Sequence, residues 1–359
     1  MRVLMVAPCC LSVDRDAAGP GGQVALLAEA LAARGHEVTV YTSEPARLPV
    51  RTRTVRLSGA SDPLDRERLT RLYAVRALLM ADGYDVVHSF AGPELALAAG
   101  TDVPLLTTLW GMPVPAEQPL WNRFRGRYVG VSWAQLRRLQ GLLPEAVPAG
   151  VVYPALDVEA VPYEPEKEDY LLLAGPIGPD AGTDLALAGA RKTEMPLLIL
   201  GPVAPGASAF FAQEVAPRID GQLVRYLPAV GRAERRRLLA RARALLLLGR
   251  RARPWLPLAA EALAMGTPVI LLNRGPAREL VVHAETGFVV DDFIGLVSAI
   301  DRLDTIDPLA CRRRAQRCWD VSQAALAYER LYEAVHEPTA APAPHPELAA
   351  VGAGLPSHV

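Results

Sequence analysis

The chain has 359 residues, 51% of them hydrophobic, which is enough to build two domains of ordinary size. A formal net charge of −1 excludes a dedicated nucleic-acid binder, which would carry a strong basic excess. No apolar run reaches the ~18 residues of a membrane span. The opening Met1–Pro8 is too short for a signal peptide and reads as a first strand.

Cys9, Cys10, Cys311 and Cys318 form no metal-type spacing and read as buried free thiols of a reduced, cytoplasmic protein. Lys167 and Lys192 are the only lysines among many arginines and alanines, a composition typical of a GC-rich bacterial genome.

In chain order, Arg2–Ala7 is a strand and Cys9–Gly22 a loop ending Gly-Pro-Gly-Gly. A helix follows with Val24, Leu27, Ala28 and Leu31 on one face; Gly35 closes it, and Glu37–Ser43 is the next strand. This strand–loop–helix–strand unit implies a parallel crossover. Further strands are expected at Val50–Ser58, Asp85–Phe90, Pro104–Leu109 and Arg127–Ser132, with helices over Leu69–Met80 and Trp133–Leu142. Doubly wound sheets bind ligands at the carboxyl ends of their strands, which makes His88, Trp110, Ser132 and Asp157 candidates by position.

The polar, proline-containing Glu159–Asp169 reads as a linker between domains. A second alternating unit then runs through strands at Tyr170–Ala174, Pro196–Leu200, Leu223–Leu227 and Ala244–Leu248. Helices are expected at Thr183–Arg191, Ala209–Val215 and the strongly basic Arg232–Arg243, whose arginines read as a solvated face. Helices Phe293–Leu303, Pro308–Arg317 and Ser322–Val335 complete it, and Pro338–Val359 has the composition of a disordered tail. The expected boundaries are 1–158, 169–320, a crossing helix at 321–337 that returns to the first domain, and the tail 338–359. Two open α/β domains of this kind imply a ligand cleft between them.

The stretch Arg253–Glu279 organises the rest. Pro254 and Pro257 mark a loop and a helix start, Gly266 ends a small-residue helix in the left-handed conformation, and Val269–Leu272 is a buried strand. Glu261 is the one carboxylate in that apolar helix. The run Glu261-Ala-Leu-Ala-Met-Gly-Thr-Pro-Val-Ile resembles the donor-site signature of family 4 retaining glycosyltransferases of the GT-B fold. The resemblance extends to the Gly21-Gly22 loop, the Gly175–Gly182 loop, Val151–Asp157, Phe211–Gly221 and the terminal helix, nearly the whole chain.

It implies two Rossmann-like parallel-sheet domains facing a central cleft, and transfer of a sugar from a nucleoside diphosphate sugar to a small acceptor with retention. It implies no metal and no cofactor beyond that co-substrate. Carried over position by position, Gly21, Gly22, Gly175, Arg253, Glu261, Gly266, Thr267, Arg278 and Glu279 would contact the donor, with Glu261 on the ribose hydroxyls. Trp110 and Ser132 would contact the acceptor, and His88 and Arg253 would take part in catalysis.

The phosphate side departs from the family. Where the family places an Arg and a Lys in its Gly-rich loop, this chain has Pro176 and Ala181; the first signature Glu falls on Arg253, and Pro257 has no N–H to offer. A histidine expected after the fifth strand is Trp110. One charge-assisted hydrogen bond is worth about 1.5–3 kcal/mol, so losing two cations demands replacements. Arg250, Arg251, Arg253 and Arg278 are the arginines placed to supply them. Three readings follow: an active transferase with a rebuilt donor site; an inactive homologue that partners another GT-B chain or a second copy; or a binding protein or different enzyme on the same fold.

Overall fold

The computed structural model describes residues 1–17, 19–55, 63–92, 103–124 and 126–335, without the side chains of 63–68. The expected disordered tail and the end of the expected Val50–Ser58 strand lie outside them. The chain forms two compact units. One comprises Met1–Leu156 with the C-terminal segment from Asp320, and the other Asp157–Trp319.

The first unit is a seven-stranded parallel sheet of order β3-β2-β1-β4-β5-β6-β7. Its strands are β1 (Arg2–Val6), β2 (Glu37–Thr42), β3 (Arg51–Thr54), β4 (Val86–Ser89), β5 (Leu105–Leu109), β6 (Arg127–Gly130) and β7 (Val147–Val151). Helices α1 (Pro20–Ala33), α2 (Pro63–Leu78), α3 (Gln118–Trp121) and α4 (Trp133–Leu142) connect them. β1, β4 and β6 are almost wholly buried, as central parallel strands covered on both faces must be. β7 escapes sequence reading because Pro148 and Gly150 interrupt it. It is tolerated because β7 lies at the sheet edge, where a missing N–H costs no ladder bond.

The second unit is a six-stranded parallel sheet of order β10-β9-β8-β11-β12-β13. The strands are β8 (Glu168–Ala174), β9 (Leu197–Leu200), β10 (Val224–Leu227), β11 (Ala242–Leu247), β12 (Val269–Leu272) and β13 (Gly287–Val290). They alternate with α5 (Thr183–Thr193), α6 (Ser208–Phe210, continued irregularly to Arg218), α7 (Arg232–Arg241), α8 (Pro257–Ala264), α9 (Ala277–Leu280), α10 (Phe293–Asp301) and α11 (Pro308–Trp319). The expected linker, Glu159–Asp169, falls within this unit and is mostly exposed, with Val161 its one buried residue. Val158 and Val161 are buried, and the Arg312 guanidinium donates to the Val161 carbonyl at 2.8 Å.

The last helix, α12 (Val321–Ala334), belongs to the first unit and packs on α1. Its entry is fixed where the Val321 N–H donates to Leu156 O at 2.9 Å. Arg34 and His36 grip Glu329 at 2.6 and 2.8 Å. Ala324, Ala325, Tyr328, Leu331 and Tyr332 bury against Val24, Leu27, Ala28 and Leu31. Burying each large apolar side chain of this kind contributes roughly 1.5–3 kcal/mol.

Candidate functional site

Each sheet reverses its strand order once: between β1 and β4 in the first unit, and between β8 and β11 in the second. At such a point the loops leaving two neighbouring strands diverge to opposite faces and leave a crevice at their carboxyl ends.

In the second unit the two loops are Gly175–Gly182 and Leu248–Leu256. The Arg250 N–H donates to Asp180 O at 2.9 Å and ties them together. The Arg250 side chain extends along the first loop, donating to the Pro179 carbonyl and forming a bidentate pair with Asp184 at 2.7 and 3.0 Å. That pairing holds the partly buried Asp184 carboxyl below its usual range, the guanidinium outweighing the cost of burial. Arg250 thus stands against the loop in which Pro176 and Ala181 leave no cation. Arg251 pairs with Asp180 at 3.0 Å, both largely in solvent.

Arg253 is exposed and makes no hydrogen bond or ion pair among the described residues. The loop after β12 is pressed against it: a Cβ at Gly275 would lie 2.8 Å from Arg253 O. This contact brings the stretch carrying Arg274 and Arg278, both exposed, beside Arg253. The Arg278 Nε–H donates to Asn273 Oδ1 at 3.2 Å. Trp255 anchors the same loop from beneath, buried edge-on to Trp319 with ring centroids 5.9 Å apart. Gly175 is exposed at the end of β8 with φ +137°, a conformation that favours glycine. The α8 N-terminus opens to this edge with no side-chain cap. Gly175, Arg253, Arg278 and the α8 N-terminus thus all lie in segments that leave the carboxyl edge of this sheet, after β8, β11 and β12.

Glu261 lies in the second turn of α8 with its side chain 13% exposed. It is not a lone carboxylate. Arg235 of α7 approaches at 3.3 Å and Arg236 at 3.3 Å. The basic helix read as a solvated face is thus largely paired: besides these two, Arg237 pairs with Glu234 and Arg241 with Glu168. The sequence carried no signal for the Arg235–Glu261 contact, since 26 residues and a strand separate the partners.

Gly266 and Thr267 are not at that edge. They precede β12, so they lie at the amino ends of the strands, opposite the crevice. Thr267 is fully buried; its hydroxyl donates to Leu239 O at 2.8 Å and receives the Lys167 ammonium at 3.0 Å. Lys167 also donates to Ala240 O and Met265 O, and burial lowers it to about 8. Gly266 has φ +79°, and a Cβ there would meet the Tyr163 ring at 2.7 Å. Both are corrected from donor contacts to the joint between helix and strand. Glu279 is buried in α9, where its main-chain carbonyl accepts from Arg314 at 2.7 Å.

In the first unit Gly21 and Gly22 sit in the first turn of α1, buried under their own loop. A methyl group at either would overlap the Ser12 or Ala17 carbonyl oxygen. Their bareness lets the chain's own backbone approach, which is the alternative a glycine-rich loop always carries.

His88 is fully buried. Its Nδ1 meets Tyr332 Oη at 2.7 Å, its Nε2 meets Thr108 Oγ1 at 2.8 Å, and Phe90 and Tyr328 pack on its ring. Desolvation pushes it down to about 3, so it stays neutral, and no open face remains for a substrate proton. It is a satisfied hub joining β4, β5 and α12, not a base at a strand end.

Ser132 is likewise buried, and its hydroxyl caps α4 by accepting the Gln135 N–H at 3.1 Å. Gln135, missed from sequence, in turn donates to Leu109 O and Gly111 O, fixing the segment that carries Trp110. Trp110 lines a small pocket with Gln23, Phe90, Tyr153, Ala155 and Tyr328, and its indole N–H is buried without a partner among the described residues.

Two family models match the chain: Glycosyltransferase Family 4 over residues 18–158 and Glycosyl transferases group 1 over residues 183–305. No curated protein sequence matches it. Among solved structures it is similar to AviGT4, a glycosyltransferase involved in avilamycin A biosynthesis, at 22% identity and TM-score 0.66, covering 94% of this chain and 99% of that one. It is similar to sucrose-phosphate synthase from Thermosynechococcus elongatus at 20% identity and TM-score 0.70, covering 94% and 100%. Anabaena HepE in complex with UDP matches at 16% identity and TM-score 0.69, covering 93% and 100%. At these identities the likeness establishes the fold, two Rossmann-like parallel-sheet domains of the GT-B kind.

Proposed function

The chain belongs to the family 4-like glycosyltransferases of the GT-B fold, and on that premise we propose that it transfers a sugar from a nucleoside diphosphate sugar to a small acceptor with retention of configuration. One observation carries the donor assignment: Arg253, in the loop after β11, is exposed and has no ion pair among the described residues, and the loop carrying Arg278 packs beside it. In the transfer, the bond between the anomeric carbon and the diphosphate oxygen breaks and its electron pair leaves with the diphosphate; the acceptor's nucleophilic atom bonds to the anomeric carbon on the same face and gives its proton to the departing diphosphate. Arg253 and Arg278 meet the charge that develops there, and the partly offset Arg250 supports them from the Gly175–Gly182 loop. A single donor to such developing charge is worth about 100- to 1000-fold in turnover.

Glu261 is proposed to face the ribose, with Arg235 and Arg236 setting its position. Trp110 is proposed as the acceptor contact through the ring it presents to the pocket beside Gln23 and Tyr153. Glu279 and Gly175 shape the donor rim. That the similar HepE is found in complex with UDP and with UDP-glucose supports a nucleotide sugar as the donor class. No cofactor beyond that co-substrate is required, and a cytoplasmic location is part of the proposal. Among the described residues no helix is long and apolar enough to cross a membrane.

A second reading, the inactive partner, draws on the pairing of Glu261, Arg250 and Arg251 with the chain's own side chains. The two are separated by incubating the purified chain with a panel of nucleoside diphosphate sugars, with and without candidate acceptors. Release of nucleoside diphosphate, with the product anomer matching the donor, supports transfer. No release from any donor, together with co-purification of a second GT-B chain, overturns it in favour of the partner.

A further inference from the structure

Cys9 and Cys10 lie in the loop after β1, beyond Ala7 and Pro8, at the switch point of the first sheet. Their Sγ atoms are 3.4 Å apart. The two thiols are unequal: Cys10 is exposed, against the expectation of buried cysteines, whereas Cys9 is half-buried. Burial first, and the neighbouring Cys10 second, push the Cys9 thiol up to about 11. Cys10 adopts φ +61°, a left-handed conformation that is strained for a non-glycine residue. Its N–H is pinned to Ser43 Oγ at 2.6 Å. The chain therefore holds two adjacent thiols on one side of a strained, anchored turn. Cys311 is buried and Cys318 half-buried, both in α11 of the other unit.

We propose that Cys9 and Cys10 are a thiol–disulfide modification site that closes to a vicinal disulfide on reaction with a small-molecule disulfide. The exposed Cys10, as thiolate, attacks one sulfur of the oxidant; a mixed disulfide forms and one thiolate leaves. Cys9 then gives its proton to solvent, and its sulfur attacks that of Cys10. The bond from Cys10 to the oxidant fragment breaks, and the second thiol departs. Two protein thiols are oxidised and one disulfide is reduced to two thiols.

Closure draws the sulfurs from 3.4 Å to bonding distance, about 2.0 Å. The turn at Cys10 must shift, and with it the loop whose Ser12 and Ala17 carbonyls lie over Gly21 and Gly22. The modification thus acts on the main chain that covers the α1 N-terminus.

The test treats the full chain with oxidised glutathione, blocks residual thiols and reads the intact mass and peptide map. The wild type is expected to lose two hydrogen atoms with no adduct retained, the new bond lying within the peptide that holds Cys9 and Cys10. Cys9→Ser is expected to keep one glutathione on Cys10, and Cys10→Ser to react about tenfold more slowly. Phenylarsine oxide, which bridges paired thiols, is expected to bind the wild type once per chain and neither variant. Hydrogen exchange of the amides from Leu11 to Ala17 is expected to change on closure. A wild type that stays glutathionylated on Cys10, stays reduced, or forms its bond through Cys311, Cys318 or a second chain overturns the site. Unchanged exchange in the closed form overturns the effect on the loop.

Discussion

Arg253 carries more of the functional reading than any other side chain. Three arginines crowd the loop after β11, yet Arg250 is held by Asp184 and Arg251 by Asp180. Of the three, only Arg253 has no ion pair among the described residues. Arg253→Ala is therefore expected to weaken nucleoside diphosphate binding by more than about tenfold, ~1.4 kcal/mol, in a calorimetric titration, with the fold intact. Unchanged affinity would remove Arg253 from the site. The sequence placed Arg253 correctly at a loop after a strand, because prolines and an apolar run bracket it. It could not separate Arg253 from its neighbours, since the acids that occupy those neighbours lie some seventy positions earlier in the chain.

Gly266 marks the opposite case: the motif was legible, but its role was not. A signature is a string, and the same string runs from the crevice edge of the sheet to its far edge. Gly266→Ala is expected to destabilise the fold by about 1–3 kcal/mol in a urea melt, through its positive φ and the Tyr163 ring. The nucleotide affinity of the folded protein is expected not to change. Loss of affinity at full stability would restore Gly266 to the donor site.

At the scale of elements, α12 is held to the first unit by two polar devices of different kinds. Outside, Glu329 is clamped by Arg34 and His36, and those hydrogen bonds hold its carboxyl down at about 2, from an ordinary 4.5. A carboxylate with a depressed folded value contributes stability above its unfolded value and loses it as pH falls, here from about 4.5 toward 2. Inside, His88 is buried neutral at about 3 against an ordinary 6.5. The unfolded chain takes up that proton first, so His88 also makes stability decline as pH falls from about 6.5.

Thermal melts are therefore expected to weaken steadily on acidification. Glu329→Gln is expected to be less stable at neutral pH and to lose the part of the decline below about 4.5. An unaltered acid profile in that variant would show the clamp to be idle. Tyr332→Phe strands the His88 Nδ1 and is expected to cost about 1–3 kcal/mol.

These devices were only half readable. The apolar spacing that makes α12 a helix is local and visible. The pairing of His88 in β4 with Tyr332, 244 residues away, has no local trace. For the same reason β1 and β12 stand out in the sequence as apolar runs. β7, with Pro148 and Gly150, does not, since only its place at the sheet edge makes it a strand.

At the scale of the molecule, the alternation of strand and helix specified two doubly wound units, and the family models cover most of both. The fold sets where a donor can sit, at the carboxyl ends of β8 and β11, where the strand order reverses. It does not set the reaction. That depends on whether Arg253, Arg278 and the supported Arg250 replace the two cations missing at Pro176 and Ala181. The direct measurement is calorimetric titration of the full chain with a series of nucleoside diphosphates and their sugar conjugates, repeated on Arg253→Ala. Saturable one-site binding of at least one nucleotide is expected, weakened more than about tenfold in the variant. Absence of binding across the whole series, in a chain that melts cooperatively, would contradict it.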